Sequence, residues 1–185
     1  MLDLAFVFTI FMVTLGPIKA IPGFYAQAKD MEAADARALA FKGTLLALAI
    51  SLVLALIMPI VQAGWRVTTD DLRIATGILL FMSAYQILAN DKTAPSSDAP
   101  TKYPALSPVA IPVIITPWGA MAILMAMGLA GDNSELVKTV IILLFVIMGL
   151  NLVGMLFAKR IVELVGVVSF KLLGWIFAVL QAGLA

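Results

Sequence analysis

Two proline pairs with the same spacing carry what chemistry this chain offers. In Thr14-Leu-Gly-Pro-Ile-Lys-Ala-Ile-Pro-Gly-Phe24, Pro17 and Pro22 stand five residues apart; in Pro108-Val-Ala-Ile-Pro-Val-Ile-Ile-Thr-Pro-Trp-Gly-Ala120, Pro112 and Pro117 repeat that spacing. Proline has no backbone N–H. A helix running through Pro17 therefore frees the carbonyl of Val13, and one running through Pro22 frees that of Ile18. Gly16 permits a kink or a short unwound turn. In hydrocarbon such backbone must be satisfied by protein, water or a ligand. Carbonyls freed at a break suit a cation, and the amides that open the next helix suit a carboxylate. Broken segments at corresponding places in two halves point to a binding site between them. Two kinked packing helices without a ligand are the alternative.

Seven residues follow from this as candidates for substrate binding: Gly16, Pro17, Lys19, Thr116, Pro117, Gly119 and Asn151. Lys19 is the charge beside the first break, and its ammonium suits a substrate carboxylate. Its other reading is snorkelling to the cytoplasmic interface. Thr116 and Gly119 flank Pro117. The Thr116 hydroxyl offers one donor and an acceptor, or bonds its own helix. Trp118 walls the pocket or packs against lipid or a neighbouring span. Asn151 lies mid-span between Gly149 and Gly154. A buried amide needs partners, so it lines the pathway or fastens its span to another helix.

The surroundings of these residues are set by composition. Hydrophobic residues make up 63% of 185, with 12 Lys or Arg, 11 Asp or Glu and a net charge of +1. This is the balance of an integral membrane protein with lipid as its partner. It offers no basic cluster for nucleic acid. The chain has no Cys and no His, which excludes disulfides, thiol chemistry, His triads and the usual zinc or haem sites. No nucleotide-binding or catalytic motif is present, and the chain is read as not an enzyme. No acid falls mid-span, which argues against a proton relay through a buried carboxylate. No cofactor is called for; Na⁺, held by carbonyls and a threonine hydroxyl, is left open as a coupling ion.

Hydropathy places six spans, at about 2–24, 39–63, 72–89, 106–129, 137–158 and 164–184. The expected fold is all-α: a polytopic membrane protein with six transmembrane helices in two inverted three-helix repeats, helices 1 and 4 broken by proline. Residues 1–89 form the first repeat, 90–104 a polar connector and 105–185 the second repeat. Residues 1–8 lack a positive n-region, so the start reads as a span and not as a leader. The polar stretch 28–37 reads as a brief interfacial helix, and Thr69 or Asp70 as the cap of the third span. Loops on one side hold seven Lys or Arg (Lys29, Arg37, Lys42, Lys92, Lys102, Lys159, Arg160), against three on the other (Arg66, Arg73, Lys138). The richer side is the inner one, which puts both termini outside. Small residues in the spans suit a homo-oligomer or the packing of a monomer equally.

Three stretches resemble the MarC family of bacterial and archaeal inner-membrane proteins. Gly16-Pro-Ile-Lys-Ala-Ile-Pro-Gly-Phe24 resembles its Asn-Pro-x-Gly-x-x-Pro-x-Phe segment. Leu72-Arg-Ile-Ala-Thr-Gly-Ile-Leu-Leu-Phe81 is similar to its Phe-Arg-Ile-Ala-Gly-Gly-Ile-Leu-Leu-Phe, and Ser107-Pro-Val-Ala-Ile-Pro-Val-Ile-Ile-Thr-Pro117 to its Pro-Leu-Ala-Ile-Pro-Leu-x-x-Gly-Pro-Gly. The resemblance implies six spans in two inverted halves, an inner-membrane location with periplasmic termini in a Gram-negative host, and kinship with proteins described as transporters of small neutral amino acids. This chain is a divergent member by that measure. Gly16 stands where the family has Asn, Lys19 and Thr116 where it has Gly, Trp118 where Gly follows the second proline, and Thr76 in place of the first paired glycine. The expected function is a secondary transporter or exporter of a small polar metabolite, such as a neutral amino acid, working by alternating access between spans 1 and 4. A non-transporting membrane scaffold or assembly protein is the rival.

Overall fold

The computed structural model describes residues 4–89 and 113–185, the Val167 side chain excepted. Among the described residues eight α-helices follow in order: α1 (Leu4–Leu15), α2 (Pro17–Ala28), α3 (Ala33–Trp65), α4 (Thr69–Ala89), α5 (Pro117–Ala130), α6 (Ser134–Leu156), α7 (Ala158–Val165) and α8 (Val167–Leu184). The connector expected at 90–104 lies outside the described residues, as does the 106–112 portion of the fourth expected span.

The expectation of six spans in two inverted three-helix repeats is not met. Four segments among the described residues are long and apolar enough to cross a membrane: Leu4–Ala28, Ala33–Trp65, Thr69–Ala89 and Ser134–Leu156. A fifth is reached only if α7 and α8, bent by 95° across their junction, count as one. Two physical reasons underlie the difference. Helix α5 starts only at Pro117 and has 14 residues, about 21 Å of helix against a hydrocarbon core of about 30 Å. Gly166, at φ 78°, turns the chain sharply between α7 and α8.

Two further boundaries differ from expectation. The stretch read as an interfacial helix is instead the first part of α3 from Ala33 onward, because Ala and Arg propagate helix and the first proline in it is Pro59. The cap of α4 is Thr68 and not Thr69 or Asp70. Thr68 Oγ1 accepts from the Asp71 N–H at 3.2 Å, and Asp71 Oδ2 accepts from the Thr68 N–H at 2.8 Å, a reciprocal capping box.

The core has two apolar clusters, stacked along the helices. One gathers Val7 to Leu15 of α1 with Ala55, Ile123, Ala126, Leu144 and Ile147. The other gathers Ala20 to Phe24 of α2 with Ala47, Ile115, Met148, Met155 and Phe170. Between them fall the α1–α2 break, Ser51 of α3 and the start of α5. Outward, α3 exposes Phe41, Leu45, Val53, Leu56 and Ile60, an apolar wall of the kind that faces lipid.

Candidate functional site: a polar layer at two helix breaks

The first break is made by Gly16 and Pro17. Gly16 is extended, at φ −75° and ψ 170°, and Pro17 opens α2 as its first residue. A Cβ at position 16 would press on the Met12 carbonyl oxygen, so the close turn requires glycine. The Gly16 N–H still donates to Met12 O at 3.1 Å, but the Lys19 N–H turns to Gly16 O at 3.3 Å. The Leu15 carbonyl, four residues before Lys19, is thereby released from its helical donor. Asn151 Nδ2 donates to it at 2.7 Å. Asn151 is wholly buried, and its Oδ1 has no partner among the described residues.

The second break repeats the design. Thr116 is extended (φ −95°, ψ 160°) and caps α5, with Pro117 as the first helical residue. Its Oγ1 accepts from the Gly119 N–H at 3.1 Å and its carbonyl from the Ala120 N–H at 2.8 Å. Of the two readings of Thr116, the side chain is engaged in its own helix. Gly119 lets α1 and α5 meet: a Cβ there would lie 2.5 Å from Leu15 Cδ2. On the far side Gly154 admits α2, where a Cβ would lie 3.0 Å from Ile21 and 3.2 Å from Pro17 Cβ. The two breaks are therefore neighbours, joined at Leu15.

Lys19 does not run to the end of its helix. It is half-buried, nine residues before Ala28, which is about 13 Å along a helix and close to half the hydrocarbon thickness. Its Nζ donates to Gln181 Oε1 at 3.3 Å and sits 5.7 Å from the centre of the Trp118 ring. A cation over an indole face is attracted by the ring quadrupole. The Trp118 Nε1–H is buried without a partner among the described residues. Among the described residues the ion pairs are Arg73–Asp70 and Lys138–Glu135, so Lys19 has no carboxylate partner there.

Trp118, read from the sequence as a pocket wall or a packing residue, joins this layer through Lys19, and so does Gln181, which was not among the sequence candidates. Counting from Leu164 puts Gln181 near a span end, yet its Nε2 donates at 3.2 Å to the Leu80 carbonyl, at the middle of α4. The available signal was an amide in an otherwise apolar helix, the one that marked Asn151.

A cavity among the described residues lies elsewhere. It measures about 710 Å³ and is bounded by α1, α4, α5 and the last turn of α8, and none of the seven candidates lines it. Among the described residues no cluster of acids suited to a metal ion is found.

Neither a curated protein nor a solved structure matches this chain. The sequence profile described as MarC family integral membrane protein matches residues 2–185, nearly the whole length. A polytopic helical protein with adjoining proline breaks at Pro17 and Pro117, matched end to end by that profile, belongs to the MarC family of integral membrane proteins.

Proposed function

We propose that the protein is a secondary transporter or exporter of a small metabolite that carries a carboxylate, with neutral amino acids as the substrate class. The observation that carries this reading is Lys19: a cation at a helix break, inside the Leu4–Ala28 span, held by an indole face and one amide with no carboxylate beside it among the described residues. Charge in that setting is costly unless compensated. A substrate carboxylate supplies the compensation.

The neighbouring groups extend the match. Lys19 Nζ and the unpartnered Trp118 Nε1–H are donors for the carboxylate, and the unpartnered Asn151 Oδ1 is an acceptor for an ammonium. Leu15 O is already taken by Asn151 and Thr116 Oγ1 by the Gly119 amide, so these two hold the site's shape. Gly16, Pro17, Pro117 and Gly119 keep the two breaks together. Transport then requires that the layer open to one side of the inner membrane at a time.

A specific observation favours the second reading, a non-transporting scaffold. The contacts around Leu15, Pro17, Gly119 and Gly154 are close and apolar, as in a permanent helix junction. The experiment that separates the two is uptake and counterflow of labelled alanine, glycine and serine in proteoliposomes, under Na⁺ and proton gradients. Wild type is run beside Pro17→Ala and Thr116→Val, each verified as folded. Saturable flux that fails in the variants supports transport through the breaks. Absence of flux for every compound from folded protein supports the scaffold.

A further inference from the structure

We infer that the cavity between α1, α4, α5 and the last turn of α8 is the entrance to the Lys19 site, and that Gln181 closes it. This rests on the carboxylate-binding reading of Lys19 given above. The cavity holds about 710 Å³ and is lined by Ile10, Arg73, Thr76, Leu80, Met125 and Leu184 among others. That volume accommodates a small zwitterion with its water. At its mouth Arg73 is exposed and paired to Asp70 at 2.8 Å, so it meets an incoming carboxylate without holding it deeply.

Polar groups continue from the cavity into the protein along one face of α4. Thr76 lines the cavity, is 1% exposed, and has an Oγ1 without a partner among the described residues. Leu80, one turn on, also lines it, and its carbonyl accepts from Gln181 Nε2. Ser83, seven residues beyond Thr76 and so on the same face, is again buried and has no partner among the described residues. Unsatisfied hydroxyls in a dry helix face are costly. A line of them leading inward from a roomy cavity is what a hydrated path requires.

Gln181 stands across that line. It sits one turn before Leu184 on the same face of α8. Its Nε2 holds Leu80 O on the cavity wall at 3.2 Å, and its Oε1 holds Lys19 Nζ at 3.3 Å. A carboxylate that reaches Lys19 replaces Gln181 Oε1 as the acceptor, which frees the amide that blocks the path. Binding and opening are thereby one exchange of hydrogen bonds.

The chain has no cysteine, so single cysteines report cleanly. The test uses full-length protein in liposomes and 2-sulfonatoethyl methanethiosulfonate, an impermeant anionic thiol reagent. Thr76→Cys should be labelled from one side only. Ser83→Cys, beyond the Gln181–Leu80 contact, should be labelled slowly. Its rate should rise roughly tenfold or more when Gln181→Ala removes a bond with a charged donor. Gln181→Asn, which shortens the side chain and keeps the amide, should give an intermediate rate and covers the case in which the alanine variant does not fold. A Thr76→Cys protein that is folded and unlabelled from both sides, or a Ser83→Cys rate indifferent to position 181, overturns the proposal. Labelling as expected without flux of any substrate supports the entrance and refutes transport; flux without labelling does the reverse.

Discussion

Replacing Asn151 by leucine isolates the contact that joins α6 to the first break. The side chains are similar in size, so the change is mainly one of hydrogen bonding. It removes the Nδ2 bond to Leu15 O at 2.7 Å, and that carbonyl has lost its helical donor because the Lys19 N–H goes to Gly16 O. A lost buried hydrogen bond costs about 1 kcal/mol net, and a stranded acceptor about 1–3 kcal/mol. Side-chain bonds inside membranes average lower, about 0.6 kcal/mol. Against this, the substitution also removes the unpartnered Oδ1, which gives some stability back. The expected result is a loss of about 1–2 kcal/mol in reversible SDS unfolding, followed by tryptophan fluorescence. Thr9→Val is the control: its hydroxyl bonds Ala5 O within its own exposed turn, so its loss should stay within about 0.5 kcal/mol. An Asn151→Leu protein as stable as wild type would mean that Leu15 O finds another donor. The account of the break would then be wrong at its first step.

Three other outcomes follow from the same geometry. Thr116→Val removes the cap of α5, held at 3.1 Å to the Gly119 amide, and should cost about 1 kcal/mol in the same assay. Gly119→Ala puts a methyl 2.5 Å from Leu15 Cδ2 and should destabilise by about 1–3 kcal/mol, with Leu15→Ala restoring part of the loss in a double-mutant cycle. Arg73→Ala breaks an exposed, solvent-screened ion pair and should leave SDS unfolding unchanged while slowing thiol labelling at Thr76→Cys by the anionic reagent.

The breaks were legible because proline and glycine act locally. Pro17 and Pro117 each begin a helix, and Gly16 and Thr116 precede them in extended backbone. What the sequence hid was of longer range. Lys19 and Gln181 are 162 residues apart, and nothing in either helix alone shows that they share a depth. The span count erred for a related reason. Hydropathy reads an apolar run as one rod, whereas the run containing α5 is interrupted at Ile115–Thr116 just before Pro117, and the last one bends at Gly166. The cap of α4 was displaced by one residue because Thr68, Thr69, Asp70 and Asp71 are all good capping types, and only the Thr68–Asp71 pairing chooses among them.

The central claim is that the Lys19 ammonium receives a substrate carboxylate. Counterflow of labelled alanine in proteoliposomes tests it most directly, with unlabelled alanine and alaninamide as competitors, in wild type, Lys19→Arg and Lys19→Gln. The account predicts saturable counterflow that alanine inhibits and alaninamide does not. Lys19→Gln should lower it roughly tenfold or more, the scale of one charge-assisted hydrogen bond, with Lys19→Arg retaining part of it. Equal inhibition by alaninamide, or undiminished counterflow in a folded Lys19→Gln protein, would contradict it.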